Sequence, residues 1–239
     1  MVVDAGLARE GVDLGERIVA PFLWYEGVRR LDRLVLTHAH PDHAGGVPFL
    51  LRAFHPAEVW EGIAPLRDLG YDAFASELER NHITRRGVVR GARMVWDGVT
   101  LEVLGPLPPA RRPLRTRNDD SVVLSVKLGE VVLLLTGDIE AAGERALALP
   151  PAAVLKVPHH GSRTSTSDAL LAAVRPRLAI VSAGARNHFG HPHPDVLRRL
   201  AAAGVRVFRT DRDGTVRIRT DGRRLWVTTG AAGDEERMP

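Results

Sequence analysis

The segment His38-Ala39-His40-Pro41-Asp42-His43 gathers three imidazoles and a carboxylate within a few residues. Imidazole nitrogens and carboxylate oxygens suit a borderline divalent ion such as Zn2+, or Mn2+ where more oxygen is supplied. In an extended turn, His38 and His40 point the same way and clamp one ion. Asp42 and His43 then reach a second ion after the chain bends. Gly45 and Gly46 follow, and glycines let a backbone turn tightly beside such a site. A chance polar loop is the bland alternative, and four ligand-type residues in this order argue against it.

Later segments offer partners. Asp138 follows the apolar run Val131–Leu135 through Thr136-Gly137. A turn-capping aspartate is the ordinary reading of such a residue. With a metal cluster elsewhere in the chain, the sharper reading is a bridging ligand. His159 and His160 cannot easily share one ion, so His160 is favoured as a ligand and His159 as facing substrate, with Ser162 as a substrate contact. His191, in Asn187-His188-Phe189-Gly190-His191-Pro192, reads as a ligand, a phosphate contact or a general acid. Asn187 reads as a substrate contact beside it. Asn118-Asp119-Asp120-Ser121 reads either as a plain turn or as a segment whose Asn118 and Ser121 orient the site's loops, with Asn118 toward substrate. His55, His82, His188 and His193 read as surface residues.

The positioning elements alternate strands and helices. Met1–Gly6 reads as a strand entering a turn, and 31–37 as a buried strand. A helix is predicted from Gly45-Gly46 to about Phe54, with Pro48 in its first turn, where proline is tolerated. Residues 57–104 read as short strands and turns: 58–60, 87–90, 93–96 and 100–104. Residues 105–120, rich in Pro and Arg, read as an exposed loop. Strands at 121–128 and 131–136 form a hairpin through Gly129-Glu130. A helix at 140–149, a strand at 153–157, a helix from Ser167 to Val174 and a strand at 178–182 come next. Pro194 opens a helix that Gly204 closes. Strands at 205–209, 215–219 and 224–228 complete the pattern. The polar clusters fall just after apolar strands, where ligand sites of α/β sheets tend to lie.

Composition narrows the classes. The 239 residues are 44% hydrophobic, enough for one large core, and one domain of two or more layers is expected. There are no cysteines, which excludes disulfides, iron–sulfur clusters and thiolate metal sites. The formal net charge is +4. A solvated surface accounts for that as well as attraction to nucleic acid does. No apolar run reaches the roughly 18–20 residues of a membrane span. Charges at Asp4, Arg9, Glu10 and Asp13 do not match a secretory leader. The compartment stays open.

Taken together, these residues resemble the metallo-β-lactamase superfamily and, more narrowly, its ComEC-like competence branch. The likeness rests on Val3-Asp4-Ala5-Gly6, Thr37 through Gly46, Asn118 through Ser121, and Leu135-Thr136-Gly137-Asp138. It continues in Lys156 through Ser162, Asn187 through Pro192, and Thr210-Asp211 with Gly214. It implies an α/β (α+β) fold, the αββα sandwich, over residues 1–229, with a disordered tail at 230–239. It also implies two divalent ions, Zn2+ or Mn2+, on His38, His40, Asp42, His43, Asp138 and His160. Asp42 and Asp138 then orient a nucleophilic hydroxide, while His159 or His191 donates a proton or binds phosphate. The implied substrate is DNA, cleaved during competence-type uptake, with a membrane channel domain in a longer parent protein. Arginines at 111–117 are candidates to follow the nucleic-acid backbone. Two departures stand out. The branch's Gly-Gln-Gly-Asp segment and hairpin are missing before the first strand, so the sandwich's N-terminal strands are expected to be absent. No histidine follows the strand ending Leu104-Gly105-Pro106, so the first ion lacks its usual third imidazole. A hydrolase of small phosphodiesters, thioesters or lactams, and a DNA-binding module with a non-catalytic metal site, are the competing readings.

Overall fold

The computed structural model describes residues 1–64, 69–108, 118–231, 233 and 235–238. The chain divides into two compact units, where the sequence suggests one domain. The first comprises residues 1–89 and 108–122, the second 90–107 and 123–239.

The first unit is built on a four-stranded parallel sheet. Its strands are β1 (Val2–Val3), β4 (Arg33–Leu36), β5 (Glu58–Glu61) and β6 (Thr84–Gly87), in the order β1-β4-β5-β6. A short ladder pairs β2 (Ala8–Arg9) with β3 (Val12–Asp13). A π-helical segment, Gly15–Val19, continues into α1 (Ala20–Tyr25). Leu34, Val35 and Leu36 are all buried, as expected of a strand inside a parallel sheet. Helix α2 (Pro41–Ala44) precedes α3 (Val47–Phe54). Helix α3 buries Val47, Leu50, Leu51 and Phe54, the i, i+3, i+4, i+7 stripe of one helix face, and Pro48 sits in its first turn. These side chains share a core with Leu34, Leu36, Val59 and Phe74.

Several expectations are corrected here. His40 stands extended at the N-cap of α2, so the bend after it is this helical turn, which carries Asp42 and His43. A twelve-residue helix, α4 (Leu69–Arg80), occupies part of a region read as strands and turns. Tyr71, Phe74 and Leu78 supply its buried face, a stripe too short to stand out among its polar residues. Strand β6 lies at 84–87, not 87–90. The 111–117 arginines lie outside the described residues.

The second unit holds a seven-stranded sheet in the order β13-β12-β11-β10-β9-β8-β7. These strands are β7 (Arg93–Trp96), β8 (Val99–Gly105), β9 (Val123–Leu128), β10 (Val131–Leu135), β11 (Val154–Lys156), β12 (Leu178–Val181) and β13 (Arg206–Arg209). β7 to β10 are antiparallel neighbours, with Gly129-Glu130 turning the β9–β10 hairpin, and β10 to β13 run parallel. Helices α5 (Ala141–Ala146), α6 (Asp168–Val174), α7 (Pro194–Ala202) and α8 (Thr210–Asp213) fill the connections. The Ser167 hydroxyl caps α6 by accepting from Leu170 N–H.

Side-chain alternation covers both faces of this sheet. Leu155 and Ala179 join Leu170, Leu171, Val196 and Leu200 in one core. Their neighbours Val154 and Leu178 join Leu225, Val227 and Met238 in another. Those last three lie on a three-stranded antiparallel sheet of β14 (Val216–Thr220), β15 (Leu225–Thr229) and β16 (Glu235–Met238). Strand β16 lies where the sequence suggests a disordered tail: Met238, 3% exposed, pairs with Leu225 in the ladder. Burial of Met238 offsets part of the cost of ordering this short edge strand, and its ladder with β15 adds to that.

Candidate metal centre

In the first unit, β4 delivers Thr37 and the histidine run at its C-terminal end. Residues 4–6 run beside that end: Asp4 N–H donates to Val35, Ala5 N–H to His43, and Gly46 N–H to Gly6. The approach is close enough that a Cβ on Gly46 would sit 2.4 Å from the Ala5 carbonyl oxygen and 2.5 Å from Gly15 N. Asp4 takes a left-handed φ of +58°, rare for a non-glycine residue and often found at functional sites.

That geometry gives Asp4 three donors. Thr37 N–H and the Thr37 hydroxyl each donate to its carboxylate at 2.8 Å, and His43 Nδ1 lies 2.7 Å from Oδ2. Burial alone would raise the Asp4 carboxyl. The His43 ring, by charge and hydrogen bond, and the Thr37 N–H overcome this and hold it below the ordinary carboxylate value. Because the Thr37 hydroxyl donates to Asp4, it accepts from His38 Nδ1 at 3.0 Å. Ser121, fully buried, adds its hydroxyl at 3.4 Å from the same nitrogen. Both His38 and His43 therefore use Nδ1 inside the protein and present Nε2. This is how carboxylate and hydroxyl partners orient metal-binding imidazoles. His38 Nε2 stands 3.0 Å from His40 Nδ1, and His43 Nε2 4.0 Å from Asp42 Oδ2. Two ligands on one tetrahedral ion with bonds near 2.0–2.1 Å lie roughly 3.3 Å apart.

In the second unit, Asp138 follows β10 and is 2% exposed. The Thr136 hydroxyl donates to the Lys156 carbonyl, and Lys156 Nζ donates to the Gly137 carbonyl and lies 4.0 Å from Asp138 Oδ1. The end of β11 carries a left-handed run at His159, His160 and Gly161, with φ of +48°, +53° and +81°. This run turns the two histidines different ways. His160 Nδ1 donates to the Ser182 carbonyl at 2.7 Å, and its Nε2 lies 3.4 Å from Asp138 Oδ2. His159 Nδ1 lies 3.2 Å from Glu140 Oε1, and Glu140 also accepts from Thr164. His160, not His159, thus sits beside Asp138.

His191 joins the His159 side, with ring centroids 5.9 Å apart, and stacks on Phe189. Burial first, then the neighbouring His159 and His160, push its pKa down. Its Nδ1 is buried without a hydrogen-bond partner among the described residues. Asn187 does not present its amide outward. It donates to the Gly184 and His191 carbonyls and accepts from His191 N–H, so it staples the loop that carries His191. Ser162 is buried and hydrogen-bonds Thr164, which places it in the loop's framework. Asn118 opens a 3₁₀ turn whose carbonyl accepts from Ser121 N–H. His55, His82 and His188 are exposed or half-exposed, and His193 caps α7 by accepting from Asp195 N–H. Sequence reasoning passed over Asp4, Thr37, Glu140 and Lys156 as orienting groups. An aspartate two residues before the glycine of Val3-Asp4-Ala5-Gly6 is the one signal for Asp4.

A Cβ on Gly161 would lie 2.6 Å from Pro192 Cβ. Gly161→Ala is therefore expected to push the 159–161 turn off the His191 loop and cost about 2 kcal/mol. The melting temperature should fall by roughly 4–8 °C. An unchanged melt would show that the loop accommodates the methyl group.

Residues 1–185 match the family described as the metallo-beta-lactamase superfamily. The chain belongs to that superfamily. Metallo-β-lactamase proteins of this kind are generally metal-dependent hydrolases, and the histidine and aspartate pairs above have the donor chemistry for divalent ions. Similar curated proteins include ComE operon protein 3 of Bacillus subtilis strain 168, 34% identical over 88% of this chain and 27% of that protein. Recombination protein 2 of Haemophilus influenzae is 35% identical over 91% of this chain and 26% of its own length. The chain thus spans about a quarter of the length of these relatives. Among solved structures, a Parabacteroides distasonis protein described as a metal-dependent hydrolase superposes with a TM-score of 0.51. It shares 12% identity and covers 88% of this chain and 84% of its own, a likeness of fold. The fold is thus the metallo-β-lactamase type, mixed α/β with several sheets.

Proposed function

We propose that this metallo-β-lactamase protein is a metal-dependent phosphodiesterase that cleaves DNA. One observation carries the metal reading. Three side-chain pairs, His38–His40, His43–Asp42 and His160–Asp138, present ligand atoms 3.0–4.0 Å apart. In His43 and His160 the other ring nitrogen is held by a protein oxygen. Such paired donors repel one another unless a cation or proton lies between them.

In this reading His38, His40, Asp42 and His43 of the first unit, and Asp138 and His160 of the second, would supply the ligands for divalent ions, as the family likeness implies. Such ions supply Lewis-acid polarisation of a phosphoryl oxygen and make water acidic near neutral pH. The protein's own groups do the rest. Asp42 and Asp138 orient the attacking water. His191, held by Asn187, and His159, held by Glu140, contact the phosphate and donate a proton to the leaving oxygen. DNA as substrate is supported by the likeness to proteins named Recombination protein 2 and Competence protein ComA. In this reading the chain acts in DNA uptake, as the hydrolase part of a longer membrane protein. Among the described residues no helix is long and apolar enough to cross a membrane.

Labelled single-stranded DNA is expected to be cleaved with Mn2+ or Zn2+ and left intact with chelator. Asp42→Ala should lower the rate at least a hundredfold, roughly the scale on which an orienting group acts. Cleavage that survives chelation, or that Asp42→Ala leaves unchanged, would count against the reading.

A further inference from the structure

The outer face of the β14–β15–β16 sheet takes no part in the chemistry above, and it lies beyond residue 185, where the superfamily match ends. Val216 and Ile218 turn inward onto the core of Leu225, Val227 and Met238. Two-residue alternation then turns Arg217 and Arg219 outward, and both are exposed. The ladder aligns the rest of this face. Arg219 pairs across to Trp226, and Trp226 to Arg237, while Arg217 pairs to Thr228, and Thr228 to Glu235. An indole therefore lies between two arginines, with the Arg219 guanidinium 4.8 Å from its ring centroid. The turn into β15 adds exposed Arg223 and Arg224.

Exposed Arg217, Arg219, Arg223, Arg224 and Arg237 share this surface and its turn with Asp221, Glu235 and Glu236, and Glu130 adjoins the turn, so basic residues outnumber acidic ones among those named. Asp221 accepts from Arg223 and Arg224 N–H. Glu235 pairs with Arg219, and Glu236 with Arg206. The face is also rigidly mounted: Glu130 N–H donates to the Gly222 carbonyl at 2.7 Å, tying the β14–β15 turn to the β9–β10 hairpin. A solvated basic surface would account for the arginines alone. The indole set between them adds a stacking surface that arginines alone do not offer.

We infer that this face binds a single-stranded polynucleotide, its phosphates on Arg217, Arg219 and Arg237 and one base stacked on Trp226. Arginines neutralise the backbone, and an aromatic ring accepts the face of any unpaired base. In a duplex the bases stack on each other and cannot reach the ring. The inference rests on DNA being the substrate, and it names where the strand is gripped by residues outside the proposed metal ligands.

The test is binding of a fluorescein-labelled thymidine oligonucleotide to the full chain, followed by anisotropy in chelator so that no cleavage occurs. R217Q/R219Q/R237Q should weaken binding at least tenfold and flatten the salt dependence by about two units, at roughly 0.7 for each phosphate left unneutralised. Trp226→Ala should weaken binding about tenfold and keep the salt slope, and Trp226→Phe, which keeps a ring, should recover most of the loss. Thermal melts of each variant separate lost binding from lost fold. Affinity unchanged within about twofold in either the arginine variant or Trp226→Ala would overturn the inference. Duplex binding as tight as single-strand binding would overturn it too. Hydrolysis of bis(p-nitrophenyl) phosphate by the unmodified protein with Mn2+ tests the hydrolase separately, because that substrate has no strand to grip.

Discussion

Asp138→Ala is expected to abolish both metal uptake and hydrolysis. Asp138 is a proposed metal ligand, and its Oδ2 faces His160 Nε2 at 3.4 Å. Without it, His160 keeps its Ser182 contact and its orientation, but the carboxylate paired with that ring is gone. An ion held by His160 and Asp138 would lose its charged ligand. Loss of a single outer partner of a metal site costs roughly 10–100-fold in affinity or activity, and loss of a direct ligand costs more, so the expected fall in rate is about a thousandfold or greater.

A binding measurement that needs no catalysis checks the same point. In the unmodified protein, an ion at a hundredfold excess over its dissociation constant adds about 2.7 kcal/mol of stability. At roughly 2–4 °C per kcal/mol for a chain of this size, the melting temperature should rise by roughly 5–10 °C. Asp138→Ala should show almost none of that rise, while its metal-free melt stays close to the parent's. A full metal-induced shift in Asp138→Ala would remove Asp138 from the ligand set.

Gly46→Ala should have a large effect on folding. The new Cβ would meet the Ala5 carbonyl at 2.4 Å and Gly15 N at 2.5 Å, both backbone atoms that no side-chain rotation can relieve. Relief requires moving the 4–6 segment away from the 43–46 segment. That movement breaks the hydrogen bonds Ala5 N–H to His43 and Gly46 N–H to Gly6. It also withdraws Asp4 from His43 and Thr37. Overpacking usually costs roughly 1–3 kcal/mol, and a backbone clash with lost hydrogen bonds belongs above that range, at about 4 kcal/mol. The melting temperature should drop by roughly 10 °C or more. Gly87→Ala is the control: a Cβ there would have nothing within 4 Å, and its φ is not left-handed, so its melt should match the parent's. Equal melts for Gly46→Ala and Gly87→Ala would show that the close approach does not hold the two segments together.

Much of the fold is readable from local pattern. The run Leu34-Val35-Leu36, the α3 stripe, the Gly129-Glu130 hairpin and the Ser167 cap depend on neighbours a few residues apart, and each appears as expected. Helix α4 escaped because its buried stripe is brief. Strand β16 escaped because its apolar anchor, Met238, stands among charged residues and pairs with Leu225, well outside any local window. Asn187 has the look of a substrate contact in sequence, yet its amide closes its own loop. Loop-internal bonds of that kind depend on backbone angles that composition does not encode.

Residue types and spacing by themselves determined which atoms are available for metal chemistry: His38, His40, Asp42 and His43 after one strand, and Asp138 and His160 after two others. Tertiary structure decided which ring nitrogen of His38, His43 and His160 is left open. That choice is made by partners that come from elsewhere in the fold: Asp4 on His43, the Thr37 hydroxyl it anchors on His38, and the Ser182 carbonyl on His160. An imidazole has two nearly equivalent nitrogens, and only the hydrogen bond made by one selects the other.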